Sequence, residues 1–274
     1  MLIAAAQTRS SAEPADNLAK ARTMIGEAAR GGANLVLFPE VFMAWLPEQA
    51  GLQAKRRASQ PLDGPFVRGL ADAAREAGVW VVSGMLEAAP ANEPRVYNTT
   101  VVIDDVGNLV ASYRKTHLYD AFGFMESETI APGDDVFEPI ETPWGRMGLF
   151  VCYELRFPEI ARYQAERGVD FFLVPSGWVN GPMKELHWRS LVLARAIENT
   201  AYVVACDQVH NVFLGRSLIV DPMGVVLAEG TETEGMLYAE LDARRIAAVR
   251  ARVPSISHRR TDLFRPRLVE AGVL

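Results

Sequence analysis

The sequence is poor in cysteine: two in 274 residues, Cys152 and Cys206, too few for a disulfide framework. No apolar run reaches the roughly 18 residues that a membrane helix needs. The apolar start, Met1 to Thr8, lacks a basic n-region and a small-residue cleavage site, and reads as a first strand. Positive charge is not in excess. A formal net charge of −6 argues against a general binder of nucleic acid or anionic membrane. The four histidines, His117, His187, His210 and His258, lack metal-ligand spacing, and no CxxC or HxxxH pair occurs, so no metal is expected. Low-complexity tracts, repeats and linkers are also missing. A cytoplasmic protein fits these absences, and a reactive thiol would persist in that compartment. One stretch departs from the charge balance: Arg244 to Arg267 holds eight arginines and one acid, Asp262. It reads as a solvated tail or a subunit contact, with anion binding as the alternative.

What remains is ordinary globular composition, 49% hydrophobic and 23% charged, in a chain long enough to bury a sizeable core. Residues 1–274 read as one domain. Leu2–Gln7 suits a buried strand; Asp16–Arg30 has helical spacing, with Leu18, Ala21, Ile25 and Ala28 on one face. Leu35–Phe38 is a second strand, Phe66–Ala77 a helix closed by Gly78, and Val79–Ser83 a third strand. Val96–Ile103 and Leu109–Tyr113 flank a hairpin turn at Asp104–Asn108. The second half repeats this grammar. Strands Met147–Val151, Phe171–Val174 and Ala201–Ala205 alternate with helices Ile160–Arg167 and Leu186–Ile197, and a hairpin follows across Asp221–Gly224. Helical crossovers and hairpins together predict an α/β fold of two mixed sheets with helices outside. Strand ends would then gather at one rim.

Three polar residues come directly after apolar strands: Glu40 after Leu35–Pro39, Lys115 after Leu109–Arg114, and Cys152 after Met147–Val151. Each alone is weak, since such a carboxylate commonly caps a helix, such a lysine is commonly solvated, and a buried cysteine is commonly inert. Together they supply a nucleophile, a base and a cation for covalent acyl transfer. A nearby ammonium, and the helix expected after Cys152, would favour the thiolate. A desolvated carboxylate could take the thiol proton. The same ammonium, with a backbone N–H after Cys152, could hold an oxyanion. A Cys–His pair through His117 is an alternative that spacing does not decide. Cys206 reads as core packing.

The motifs Phe38-Pro39-Glu40, Tyr113 to Leu118 and Cys152-Tyr153-Glu154-Leu155-Arg156-Phe157-Pro158-Glu159 resemble the signatures of the nitrilase superfamily of carbon–nitrogen hydrolases. They occur in that family's order, 75 and 37 residues apart. Met125 to Glu128 resembles the loop carrying a second catalytic glutamate, placed at Glu126. The resemblance implies a four-layer αββα sandwich and a homodimer, with residues 242–274 a helix plus tail contacting the partner. It implies Glu40 as base, Lys115 as transition-state stabiliser, Cys152 as nucleophile and Glu126 as a positioning group. The oxyanion would lie between Lys115 and the N–H of Tyr153, with no cofactor. Arg156 and Glu159 would stabilise the turn or the dimer.

Ser176, Gly177 and Trp178 occupy the segment that lines the acyl pocket in that family, and Tyr119, Phe122 and Phe124 could add an apolar wall. Two departures weaken transfer of the substrates of ω-amidases and deaminated-glutathione amidases. Gly181-Pro182 is separated from His187-Trp188 by Met183 to Leu186, and Gly215-Arg216-Ser217 replaces Gly-His-Ser. The expected activity is hydrolysis of a small linear carboxamide, or N-carbamoyl compound, by water to acid and ammonia through a Cys152 thioester. A nitrilase working through a thioimidate and a non-catalytic subunit are the alternatives.

Overall fold

A computed structural model describes residues 1–263. The chain opens with strand β1 (Leu2–Gln7), helix α1 (Pro14–Arg30) and strand β2 (Leu35–Leu37). Helices α2 (Gly51–Ala58) and α3 (Pro65–Ala77) precede strands β3 (Trp80–Glu87), β4 (Val96–Ile103) and β5 (Leu109–Arg114). The short β6 (Ile130–Ala131) and β7 (Ile140–Thr142) lead to β8 (Gly145–Leu149), α4 (Pro158–Ala165), β9 (Phe171–Ser176), α5 (Lys184–Asn199) and β10 (Tyr202–Asp207). Strands β11 (Leu218–Val220), β12 (Val226–Glu229) and β13 (Gly235–Glu240) and helix α6 (Ala243–Arg252) follow.

One sheet runs β13-β1-β2-β3-β4-β5 with β6 against β4, and the other runs β12-β11-β10-β9-β8-β7. Each has a parallel centre, β1-β2-β3 or β8-β9-β10, and antiparallel flanks, so both are mixed as expected. Alternation along β1 explains the layering. Ile3 and Ala5 join Met147, Leu149, Val203 and Ala205 in one core, while Ala4 and Ala6 join Ala21, Ile25, Leu70 and Ala74 in another. Helices α1 and α3 cover the first sheet, and α4 and α5 the second, which completes an αββα sandwich. Helix α3 ends at Gly78, whose φ of +64° suits glycine.

Several boundaries move. The third strand, expected to stop at Ser83, continues to Glu87, and the helix expected from Ile160 begins at Pro158. Helix α2 and strand β13 were not foreseen. The first buries no residue, and the second is half exposed, so neither leaves a strong apolar pattern.

The helical part of the segment 242–274 is α6, capped by the Asp242 carboxylate, which accepts the Arg244 N–H at 2.8 Å. Residues 264–274 of that expected tail, with Arg265 and Arg267, lie outside the described residues. The described arginines are largely neutralised: Arg245 pairs with Asp221 at 2.7 Å, Arg250 with Asp170 at 2.9 Å, and Arg259 with Glu166. Among the described residues, no helix is long and apolar enough to cross a membrane.

Candidate active site

Glu40, Lys115, Cys152, Trp178 and Asp207 lie at or just beyond the carboxyl ends of β2, β5, β8, β9 and β10. Open α/β sheets place ligands at such ends because loops there are free to diverge from a rigid scaffold. A cavity of about 300 Å³ opens at this rim, lined by Glu40, Lys115, Glu126, Cys152, Tyr153 and Trp178 among others.

The backbone is strained where it presents these groups. Val41, next to Glu40, has φ +45°, and Cys152 has φ +48°, both rare for residues with a side chain. Gly84 lets the Glu40 turn approach, because a Cβ there would stand 2.4 Å from the Val41 nitrogen.

Lys115 is 2% exposed, and its ammonium donates to Glu40 Oε1 at 2.8 Å and Glu126 Oε2 at 2.9 Å. Asn98 donates to the same two carboxylates, at 2.7 and 3.1 Å. The second Glu40 oxygen accepts the Gly177 N–H at 2.8 Å, and Glu126 Oε2 also accepts the Tyr119 N–H at 2.7 Å. The Cys152 thiol opens into the same cavity as Glu40 and Lys115. Burial alone would discharge Lys115, but the charges of Glu126 and Glu40 outweigh it and hold the ammonium. Burial likewise pushes Glu126 up, and Lys115, helped by hydrogen bonds from the Tyr119 N–H and Asn98, more than reverses that. The Cys152 thiol moves the other way: burial, then the Glu40 charge, push it well above its ordinary range, and Lys115 only partly offsets them.

The carbon–nitrogen hydrolase model matches residues 2–251. The chain belongs to the carbon–nitrogen hydrolase family. It is 35% identical over 261 residues to a deaminated glutathione amidase of Escherichia coli O157:H7, spanning 95% of this chain and 97% of that one. Among solved structures it matches the Caenorhabditis elegans NitFhit protein with a TM-score of 0.89 at 32% identity, covering 96% of this chain and 66% of that one. It also matches an amidase mutant from Nesterenkonia sp. AN1 that carries acrylamide added at its active-site cysteine. That TM-score is 0.78 at 27% identity, covering 98% of this chain and 100% of that one.

Seen as a carbon–nitrogen hydrolase, the molecule brings Glu40, Lys115, Glu126, Cys152 and Tyr153 to one cavity, and Gly177 and Trp178 reach its wall. Ser176 does not join them. Its side chain is fully buried, and its hydroxyl donates to the Val174 carbonyl at 3.3 Å. Gly177 contributes chiefly through its N–H on Glu40. Tyr119 and Phe124 line the cavity as expected, while Phe122 is 64% exposed and stacks on Tyr119. His117 hydrogen-bonds Thr116 and packs on Phe157. Cys206 is fully buried.

Three features correct the reading from sequence. No α-helix starts at Cys152. A short 3₁₀ turn, Cys152–Arg156, intervenes before α4, and the thiol is disfavoured as a thiolate. Arg156, expected to stabilise the turn or a dimer, lines the cavity. Glu154, a bare motif letter in the sequence, is fully buried and joins the segments that carry Lys115 and Cys152. Its Oε1 accepts from the Tyr113 hydroxyl and the Thr116 N–H and hydroxyl, and its Oε2 accepts the Val151 N–H. Asn98 was missed too, because an asparagine inside a β-strand carries no pattern of its own.

Proposed function

We propose that the chain hydrolyses a small linear carboxamide, or an N-carbamoyl compound, to an acid and ammonia through a thioester on Cys152. The carrying observation is the buried Lys115 ammonium between Glu40 and Glu126, in one cavity with the Cys152 thiol. Sγ attacks the amide carbon while its proton passes to Glu40, which suits a thiol that does not ionise by itself. The oxyanion gathers charge between Lys115 and the N–H of Tyr153. Collapse breaks the C–N bond, and Glu40 returns the proton to the departing ammonia. Water then attacks the thioester with Glu40 as base, the C–S bond breaks, and the thiol is restored. Glu126 holds Lys115 and orients the amine or water. Every proton taken is returned, so the cycle needs no cofactor.

The names of the relatives above support an amide over a nitrile. The inserted segment Met183 to Leu186 and the Gly215-Arg216-Ser217 sequence weigh against deaminated glutathione itself as substrate. The test is ammonia release from a panel of amides, carbamoyl compounds and nitriles. A nitrile turned over far faster than every amide would displace this reading.

We further infer a homodimer in a reducing cytoplasm. Both cysteines are free, and Ile197, Val225 and Leu227 leave apolar surface exposed around the Asp221–Gly224 turn. The segment 242–274 would contact the partner. Light scattering that reports only monomer, or fractionation outside the cytoplasm, would overturn these points.

A further inference from the structure

Strands β9 and β10 run side by side and stop together at the cavity rim, where Ser176 pairs with Asp207. Asp207 is fully buried, and its Oδ1 accepts the Trp178 N–H at 2.6 Å. The N–H just before it in the same turn, that of Gly177, donates to Glu40 Oε2 at 2.8 Å. Two successive peptides thus hold two carboxyl groups, of which Glu40 lines the cavity and Asp207 does not. The turn packs closely on Glu40, because a Cβ at Gly177 would stand 3.3 Å from Glu40 Oε2 and 2.9 Å from the Phe213 ring. Trp178 is fixed at two further points. Its indole N–H donates to the Lys184 carbonyl at 3.0 Å, and its own carbonyl accepts the Leu214 N–H at 2.9 Å.

A buried carboxyl is a costly way to hold one N–H. Any hydroxyl or carboxamide oxygen would accept it, whereas a carboxylate without a cation loses its hydration. Among the described residues Asp207 Oδ2 has no partner, and Lys115 is already engaged between Glu40 and Glu126. Burial, with the Glu40 charge adding to it, therefore favours Asp207 as the neutral acid. An uncharged carboxyl spares Glu40 and the Cys152 thiol the repulsion of a further negative charge, within whose reach both lie. Gln208, the next residue, makes a second tie. Its side-chain amide donates to the Glu40 carbonyl at 2.8 Å, and its oxygen accepts the Ser10 N–H at 3.2 Å. The end of β10 thus reaches Glu40 twice: at the backbone through Gln208, and at the carboxylate through Asp207, Trp178 and Gly177. The Asp207 main chain is itself fixed, its N–H donating to the Ser217 hydroxyl at 2.9 Å.

We propose that Asp207 is a positioning residue for the reaction: its carboxyl anchors the Gly177–Trp178 turn, and the turn holds the base Glu40 by the Gly177 N–H. This rests on the amide-hydrolase reading above for the roles of Glu40 and Cys152. Without the anchor, the Gly177 N–H leaves Glu40 Oε2, and the proton taken from Cys152 meets a poorly placed acceptor. The loss then falls on turnover more than on substrate binding.

The test compares the full chain with two variants in two assays. One is ammonia release from the amide turned over fastest in the panel above. The other is alkylation of Cys152 by iodoacetamide at pH 7, which needs the same proton transfer but no hydrolysis. A neutral carboxyl and a carboxamide each offer one acceptor oxygen and one donor, so Asp207→Asn keeps kcat within about threefold of wild type. Asp207→Leu has similar volume but no acceptor, and its kcat and alkylation rate both fall by about ten- to a hundredfold, with KM changed much less. A loss in Asp207→Asn equal to that in Asp207→Leu overturns the proposal. So does an unchanged kcat in a folded Asp207→Leu, or a loss confined to KM. If Asp207→Leu does not fold, Asp207→Ala takes its place with the same expectation. Should no amide be hydrolysed at all, the hydrolase reading fails, and the alkylation rates decide the anchor separately. Equal rates in wild type and Asp207→Leu overturn it.

Discussion

Replacing Glu154 tests whether a residue that touches no substrate sets the geometry of the site. Its carboxylate is fully buried and accepts five hydrogen bonds: Tyr113 hydroxyl 2.7 Å, Thr116 N–H 2.9 Å, Thr116 hydroxyl 2.7 Å, His117 N–H 3.3 Å and Val151 N–H 2.7 Å. Four come from the segment around Lys115 and one from the residue before Cys152. Glu154→Gln keeps the shape but can offer only one acceptor oxygen. The best flip keeps that oxygen toward Tyr113 and Thr116 and strands the Val151 N–H, which costs about 1–3 kcal/mol. The remaining bonds lose their charge assistance, so the total is about 2–4 kcal/mol. For a chain of this size that lowers Tm by roughly 5–15 °C. Glu154→Ala strands all five donors and exceeds about 5 kcal/mol. Because Lys115 and Cys152 lose a common anchor, kcat in Glu154→Gln falls at least about tenfold, with a smaller change in KM. The sign of the pH dependence follows from the native carboxyl. Burial pushes it up, but hydrogen bonds from His117, Val151, Tyr113 and Thr116 outweigh burial and hold it low. A depressed native value gives stability that is full above the ordinary carboxylate range and is lost as pH falls through the native value. The gap between wild type and Glu154→Gln therefore narrows in acid. Urea unfolding and steady-state kinetics measure both. A Glu154→Gln protein within about 0.5 kcal/mol of wild type, with unchanged kcat, would refute the reasoning.

Two further outcomes follow. Burial pushes the Asp207 carboxyl well above its ordinary range, with the Glu40 charge adding to it, and among the described residues its Oδ2 has no partner. A raised native value means stability that is full in acid and lost as pH rises, so Asp207→Asn gains on wild type in Tm between pH 5 and 9. A difference independent of pH would contradict this. Alkylation of Cys152 by iodoacetamide keeps accelerating above pH 9, because the thiol is pushed up, while the fully buried Cys206 reacts only on unfolding. A plateau below pH 8 would instead mean a preformed thiolate.

The strands carrying Glu40 and Cys152 were legible in the sequence because each is an apolar run that ends on a polar residue, and the strand carrying Lys115 because it follows a hairpin turn. The mixed sheets followed from hairpin turns and helical crossovers. Strand β13 escaped because it pairs antiparallel with β1 at the far end of the chain, and long-range pairing leaves no local mark. The thiol's environment escaped for a related reason. The family resemblance implies that Lys115 lies near Cys152, but not that Glu40 and burial oppose it there.

The most direct measurement is the mass of the protein quenched in acid during turnover of an amide. The account predicts an acyl adduct, lighter than the substrate by one ammonia, on the peptide containing Cys152, and neither adduct nor turnover in a folded Cys152→Ala protein. Ammonia release at the wild-type rate from Cys152→Ala, or an adduct confined to another residue, would contradict it.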